Sequence, residues 1–286
     1  MVAVLAIAWI GGTFWIRARE TELISALPAA FPGRVIQAGG HGVRILERGE
    51  GPAVLLVAGT GGSVASWPAT VLDRLARDHH VIALDLYGMG FSARDDDFTY
   101  GFALWSQQLV SVLDALGIER ASVVGHSLGG TVVIFFAANH PDRVDRVVLA
   151  ASAISIPWWF PVLMAPGPGE LFLASQEVFG PTFSPDHRAQ AIAAYRIRGT
   201  RDALLRYVRH SLFEARGMSP AVEAVRAKVL QLHGTSDEEV PFSAAERLRA
   251  QLRDSRLVPI EGAGHFLMHD APERFASEVE AFLPRR

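Results

Sequence analysis

Gly125-His126-Ser127-Leu128-Gly129 stands between two segments of different character. Residues 121–124 form a short apolar run typical of a buried parallel strand, and residues 128–139 carry the small and apolar side chains of a packed helix. Strand, tight turn and helix therefore meet at Ser127. Glycine is expected two positions either side, because larger side chains there would collide with the neighbouring strand and helix. The pattern predicts a nucleophile elbow with an exposed hydroxyl; the alternative is a glycine-rich turn whose serine only caps the helix.

Composition limits the classes of function that the chain can have. A length of 286 residues with 50% hydrophobic content is enough for one sizeable core and an inserted subdomain. A formal net charge of −3 without a basic cluster disfavours nucleic acid as a partner. The complete lack of cysteine excludes disulfides, thiolate metal sites and a cysteine nucleophile. The histidines show no H-E-x-x-H or comparable metal-ligand spacing, so we expect neither a metal nor a cofactor.

Continuous apolar runs recur along the chain and are mostly separated by helical patterns, which predicts a mostly parallel sheet with helices on both faces. Two alternating segments precede them and predict an antiparallel hairpin across a glycine-rich turn. The hairpin covers residues 34–37 and 43–47, and the runs cover residues 53–57, 81–84, 121–124, 144–150, 229–232 and 257–260. Ligands of such sheets bind beyond the carboxyl ends of the strands, so the residues that follow each run are the candidate site residues.

The loop after residues 53–57 reads Ala58-Gly59-Thr60-Gly61-Gly62 and is flexible enough to present backbone N–H groups to a ligand. It suits an oxyanion hole with the N–H of Thr60 as one donor. The N–H of Leu128, directly after Ser127 and at the positive end of the following helix, would be the second donor. The alternative is a glycine-rich connection without a catalytic role.

Two further loops supply a candidate acid and a candidate base. Asp237 comes just after the run at 229–232 and before a helix, with Glu238 and Glu239 as competing carboxylates. An acidic cluster that merely precedes the helix is the alternative. His265 follows the run at 257–260 among small residues, which leave an imidazole free to face both a hydroxyl and a carboxylate. The chain has ten histidines, and position alone distinguishes this one.

Ser127, Asp237 and His265 occur in the order of the α/β-hydrolase triad, each after a separate strand. Over residues 34–283 the chain resembles the α/β-hydrolase superfamily. The motifs that carry the resemblance are Gly59-Thr60-Gly61-Gly62, Asp85-Leu86-Tyr87-Gly88-Met89-Gly90-Phe91-Ser92, Gly125-His126-Ser127-Leu128-Gly129-Gly130, Gly234-Thr235-Ser236-Asp237 with Val240-Pro241, and Gly264-His265-Phe266. Ala58 departs from the pattern, since relatives usually have histidine there. Asp85 and the Gly88-Met89-Gly90 turn are interpreted as structural.

The resemblance implies an enzyme in which Ser127 attacks an acyl carbon, His265 takes the hydroxyl proton and Asp237 orients the imidazole. Serine rather than aspartate at the elbow makes haloalkane dehalogenase and epoxide hydrolase activity improbable. The leading hypothesis is hydrolysis of carboxylic esters through an acyl-enzyme, with a small acyl compound as substrate. The same triad also serves C–C bond hydrolases of diketo acids, lactonases, aminopeptidases and acyltransferases. A non-catalytic ligand receptor on the same fold is the alternative from another class.

The predicted domains are an α/β-hydrolase core at residues 33–153 and 227–286 and an inserted helical cap at residues 154–226. The apolar stretch at 156–164 predicts an acyl pocket with Trp158 and Trp159 against the substrate; packing on the core or contact with a bilayer are alternatives. Cationic cap residues could meet an anionic group, although a solvated helical face is the simpler interpretation. They are Arg196, Arg198, Arg201, Arg206 and His210.

Residues 1–20 are predicted to be an apolar anchor helix outside the core. Residues 2–16 carry no charge and are followed at once by Arg17 and Arg19. Such a helix is shorter than the ~30 Å hydrocarbon layer, so it would be a marginal membrane anchor. The arginines after it favour a cytoplasmic catalytic domain. A cleaved signal peptide and an ordinary helix on the protein are the alternatives.

Overall fold

The computed structural model describes Gly11 and residues 30–152, 185–214 and 218–284. The predicted N-terminal anchor and the tryptophan pair Trp158 and Trp159 lie outside the described residues. None of the helices in the described ranges is long and apolar enough to cross a membrane. The three predicted domains stay a prediction, as does the membrane association through residues 2–16.

The described residues form one eight-stranded sheet whose strands largely coincide with the predicted runs. The strands are β1 (Arg34–Ala38), β2 (His41–Arg48), β3 (Ala53–Val57), β4 (His80–Leu84), β5 (Ala121–His126), β6 (Val144–Ala150), β7 (Lys228–Gly234) and β8 (Ser255–Ile260). Their order is β1-β2-β4-β3-β5-β6-β7-β8. The hairpin strand β2 runs antiparallel to both of its neighbours, and the other pairs are parallel. The predicted mostly parallel α/β sheet is confirmed.

Helices cover both faces of this sheet. They are α1 (Ala69–Leu75), α2 (Phe102–Ala115), α3 (Leu128–Asn139), α4 (Pro185–Arg196), α5 (Thr200–Glu214), α6 (Met218–Ala224), α7 (Phe242–Gln251), α8 (Leu267–Asp270) and α9 (Pro272–Phe282). One hydrophobic cluster joins the sheet to α2, α3, α6 and α7, and a second joins its other face to α1, α8 and α9. Helix α3 is apolar on nearly every side because it is buried between the sheet and the helices α2 and α6.

The parallel register brings the carboxyl ends of β3, β5, β7 and β8 to one edge. Val57 pairs with Gly125, and Gly234 pairs with Ile260. Between these pairs, β6 bridges β5 and β7 through Ala150, which pairs with His126 on one side and Leu232 on the other. The loops that follow these strand ends are the ones that carry the predicted site residues.

Among the described residues between β6 and β7, three helices, α4, α5 and α6, lie in the region predicted as a cap. Hydrogen bonds from core arginines hold the first two against the core. Arg44 Nη2 donates to Gln190 Oε1 of α4 over 2.6 Å, and Arg94 Nε donates to Thr200 Oγ1 of α5 over 2.8 Å.

Asp85, at the carboxyl end of β4, organises the loops around it and is fully buried. Its Oδ1 accepts the Val64 N–H over 2.6 Å and its Oδ2 accepts the Phe91 N–H over 2.7 Å. Arg44, equally buried, places Nη1 3.7 Å from the same Oδ2. Burial raises the pKa of Asp85, and the charge of Arg44 together with the two N–H groups opposes that rise. These contacts agree with the predicted structural role.

Asp85→Asn should lower the free energy of unfolding by about 3 kcal/mol, because it leaves the buried Arg44 uncompensated and points an amide donor at a backbone N–H. The matched control is Asp145→Asn, which breaks the exposed 2.8 Å pair with Arg120 and should cost no more than about 1 kcal/mol. Urea unfolding of both variants measures the difference. Equal losses would contradict a structural role for Asp85.

Candidate active site

Ser127 occupies the turn between β5 and α3, with φ of 51° and ψ of −120°. Residues other than glycine rarely adopt such a positive φ, so the backbone at Ser127 is strained and must be held by its surroundings. The Ser127 N–H donates to Ala150 O, and its carbonyl accepts the Gly130 N–H, each over 2.9 Å. Ser127 is only partly buried although the residues on either side are buried. This geometry is that of the predicted elbow.

The two elbow glycines are required by close backbone contacts. A Cβ on Gly125 would lie 2.3 Å from Gly129 O, and a Cβ on Gly129 would lie 2.2 Å from Val57 O. Neither oxygen belongs to a side chain that can rotate away. The crowding expected from the sequence is therefore present on both sides of Ser127.

Asp237 and His265 meet at the same edge of the sheet. Asp237 Oδ2 lies 2.9 Å from His265 Nδ1, and Oδ1 accepts the N–H groups of Glu239 and Val240 over 2.9 and 2.8 Å. Both carboxylate oxygens are thereby oriented. Of the competing carboxylates, Glu238 is exposed, and Glu239 Oε2 lies 3.7 Å from the other ring nitrogen, Nε2. Asp237 is the carboxylate that contacts Nδ1.

The surroundings keep Asp237 ionised. Burial alone would raise its pKa, but the hydrogen bonds from His265 and from the Val240 N–H outweigh burial, and the pKa lies below its ordinary value. An ionised carboxylate only accepts hydrogen bonds, so His265 Nδ1 carries the proton in this pair. Nε2 of neutral His265 is then unprotonated and able to accept a proton.

The loop predicted to supply an oxyanion donor packs beside Ser127. The loop after β3 closes as a turn in which the Gly62 N–H donates to Gly59 O over 3.0 Å, with Gly61 at φ of 68°. A Cβ on Gly59 would lie 3.0 Å from Ser127 Cβ, so this loop packs directly on the elbow. Within residues 30–152, 185–214 and 218–284, neither the Thr60 nor the Leu128 N–H has a protein acceptor. Leu128 begins α3, where N–H groups lack helical partners.

The cationic cap residues are not gathered into one anion site. Arg201 is buried and donates to Tyr195 O over 3.2 Å, and Arg206 donates to the carbonyls of Asp96 and Phe98 over 2.7 and 2.5 Å. Arg196 and Arg198 are exposed, and His210 Nε2 lies 3.9 Å from Glu214. In the part of the chain that the structure describes, no three histidine or carboxylate side chains are placed to hold a metal ion.

Two buried histidines belong to the site but were not identified from the sequence. His126 Nε2 lies 3.0 Å from His265 O, and His233 Nε2 lies 3.4 Å from Asp237 Oδ2 and 2.8 Å from Val240 O. Burial lowers the pKa of both imidazoles. The available signal was position, since both lie within the last two residues of strands that end at the site.

The fold and this constellation define an α/β hydrolase. The model of the alpha/beta hydrolase family matches residues 54–278, and the chain belongs to this family. It is an enzyme of the hydrolase class.

Three individual hydrolases illustrate what the chain is similar to. The chain is 32% identical to a 2-hydroxymuconate semialdehyde hydrolase of Pseudomonas sp. (strain CF600), over 88% of this chain and 93% of the relative. It is 30% identical to a 2-hydroxy-6-oxo-2,4-heptadienoate hydrolase of Pseudomonas putida, over 88% of this chain and 96% of the relative. Among solved structures, a serine hydrolase involved in carbazole degradation superimposes with a TM-score of 0.70 at 26% identity, over 88% of this chain and 98% of that chain.

Gly129→Ala should lower the free energy of unfolding by about 2 kcal/mol or more, because the new methyl group meets backbone oxygen atoms that cannot move independently. Gly264→Ala is the matched control, since a Cβ there would have no neighbour nearer than 3.5 Å. Thermal unfolding of the two variants checks the difference. An unchanged melting temperature for Gly129→Ala would show that α3 and β3 are not in such close contact.

Proposed function

We propose that this protein is a serine hydrolase that cleaves the C–C bond beside the 6-oxo group of a 2-hydroxy-6-oxo-2,4-dienoate. The observation that carries the proposed chemistry is the 2.9 Å contact of Asp237 with His265, at the sheet edge where Ser127 is exposed on a strained turn. The substrate class is supported by two relatives of nearly full coverage that are named as hydrolases of such compounds.

The first step forms a tetrahedral adduct, which becomes an acyl-enzyme when the C5–C6 bond breaks in the second step. Ser127 Oγ attacks the C6 carbonyl carbon while His265 Nε2 takes the hydroxyl proton, and the Asp237 carboxylate stabilises the resulting imidazolium. The negative charge that develops on the carbonyl oxygen is held by the N–H groups of Thr60 and Leu128. Loss of one such donor raises a barrier by on the order of 3 kcal/mol.

The second step breaks the C5–C6 bond. Once the 2-hydroxy dienoate has tautomerised to its 2-oxo form, the electron pair left on C5 is delocalised through the double bond onto the C2 carbonyl. The imidazolium of His265 returns its proton to this dienolate, which leaves as a 2-hydroxydienoate. Water then attacks the acyl carbon with His265 as base, and a carboxylic acid is released from Ser127.

Ser127→Ala should reduce release of acetate from 2-hydroxy-6-oxo-2,4-heptadienoate by at least about 10⁴-fold, because the covalent route is lost. Ser122→Ala is the matched control, since it removes a buried hydroxyl at the opposite end of β5 and should retain turnover. Acetate quantification and loss of dienoate absorbance measure the rates. Equal turnover by Ser127→Ala and wild type would reject the proposal.

Hydrolysis of a neutral carboxylic ester is the second candidate, and lactone hydrolysis or acyl transfer would use the same groups. Glu239 favours ester hydrolysis, because its carboxylate lies 3.7 Å from His265 Nε2 and 65% of its side chain is exposed. The reacting carbon must come close to Nε2, so the carboxylate of a dienoate, five carbon–carbon bonds from that carbon, would lie at a distance from Glu239 comparable to the Debye length of about 8–10 Å. A neutral ester carries no charge for Glu239 to repel.

Glu239→Gln should raise kcat/KM for the dienoate about threefold, because one like charge near the substrate is removed, and should leave kcat/KM for a neutral aryl acetate within about twofold. Steady-state kinetics on both substrates checks this. If wild type prefers the aryl acetate by 100-fold or more, on the order of 3 kcal/mol, ester hydrolysis is the function. Binding of both compounds without turnover would instead favour a ligand receptor.

A further inference from the structure

We propose that His126 is a positioning residue whose imidazole ties the loop of the base to the nucleophile elbow by donating a hydrogen bond to the main-chain carbonyl of His265. The inference deepens the proposed function and rests on it, because His265 must be the base for its loop to need positioning. The hydrogen bond of His126 is to a main-chain atom of His265, so His126 acts through that residue.

The imidazole ring of His126 lies between the loop that carries His265 and the loop that carries Gly59. His126 is the last residue of β5, directly before Ser127, and is 3% exposed. Its Nε2 lies 3.0 Å from His265 O, and its ring centroid lies 4.9 Å from that of His265 and 5.1 Å from that of Phe266. On the other side, a Cβ on Gly59 would lie 3.2 Å from Nδ1, so the oxyanion loop packs against the same imidazole.

The hydrogen bond has a defined direction. A carbonyl oxygen only accepts, so Nε2 carries the proton and Nδ1 is the unprotonated nitrogen. Burial, assisted by the nearby His265, lowers the pKa of His126 to about 3. The ring therefore stays neutral while His265 gains and loses a proton. A neutral ring does not compete with His265 for the serine proton and adds no charge beside the imidazolium.

The loop of the base is hydrogen-bonded on both sides of His265, since Ala263 O accepts the Ser236 N–H over 2.9 Å and Phe266 O accepts the His269 N–H over 2.7 Å. Asp237 holds the side chain of His265 through Nδ1, and Asp270 Oδ2 accepts the Gly264 N–H over 2.8 Å. Among the described residues, the carbonyl of His265 accepts no backbone N–H. The hydrogen bond from His126 therefore supplies, at the His265 carbonyl itself, the link between this loop and the residue directly before Ser127.

The test compares His126→Gln with His126→Leu. The Gln side chain places an amide N–H near the position of Nε2, whereas Leu fills similar volume without a donor. His126→Leu should slow labelling of Ser127 by a fluorophosphonate and lower kcat by about 10- to 100-fold with KM within about twofold, because displacement of the base affects chemistry rather than binding. His126→Gln should restore both rates to within about threefold of wild type.

Two further measurements separate positioning from packing. The acid limb of the pH profile of kcat/KM should move in His126→Leu and stay in place in His126→Gln, since that limb reports the free enzyme's base. If His126→Leu unfolds, His126→Asn replaces it in the test, because the shorter Asn amide reaches the position of Nδ1 and not His265 O. The labelling rate and kcat of His126→Asn should then be as low as those expected for His126→Leu. Melting temperatures establish that each variant is folded.

The outcomes distinguish this inference from the proposed function. Absence of fluorophosphonate labelling in wild type, or equal labelling of Ser127→Ala, overturns the proposed function. Labelling of wild type with wild-type rates in folded His126→Leu or His126→Asn overturns the role of His126 alone. A folded His126→Gln that is as slow as His126→Leu also overturns it, because packing rather than the hydrogen bond would then matter.

Discussion

The contact between helix α3 and strand β3 is possible only without a side chain at position 129, where a Cβ would lie 2.2 Å from Val57 O. This approach places the first N–H of α3 beside the loop that follows β3. In the same turn Ser127 has a positive φ of 51° and is only partly buried, although the residues on either side are buried. The Leu128 N–H and the strained turn at Ser127 thus lie at one tightly packed contact. The Asp85 hydrogen bonds hold the same region from the side of β4.

The environments of the buried groups around His265 determine their ionisation states. Asp237 is ionised, and burial keeps His126 and His233 neutral. Because the folded pKa of Asp237 is below its ordinary value, its ionised form stabilises the fold at pH values above that ordinary value. This stabilisation is lost as the pH falls through the lowered pKa. Asp237 is thus a buried anion in direct contact with the His265 imidazole.

The sheet, and the placement of Ser127, Asp237 and His265 directly after its strands, could be predicted because their signals are local. A buried strand is an apolar run, a strained turn needs glycine on both sides, and the ends of parallel strands share one edge. Hairpin strands β1 and β2 extend only slightly beyond the predicted 34–37 and 43–47. His126 could not be found in this way, because its partner lies 139 residues away and no local pattern marks the contact. The cationic residues of α5 were also ambiguous, since only the fold shows that Arg201 and Arg206 bond to carbonyls.

The sequence is least informative about which bond the enzyme cleaves, an ester bond or a C–C bond. Ester hydrolysis was the leading hypothesis and C–C hydrolysis an alternative, while the relatives support the alternative better. Both reactions share attack on a carbonyl carbon and an acyl-enzyme. They differ in how the leaving group is stabilised, and that depends on pocket contacts rather than on the triad.

The central claim is that Ser127, His265, Thr60 and Leu128 surround one reacting carbon. A crystal structure of the protein after reaction with a fluorophosphonate tests it most directly. The account predicts phosphorus bonded to Ser127 Oγ, with the phosphoryl oxygen about 3 Å from the N–H groups of Thr60 and Leu128 and with His265 Nε2 facing the adduct. Phosphorus on another residue, or His265 turned away from the adduct, would contradict it.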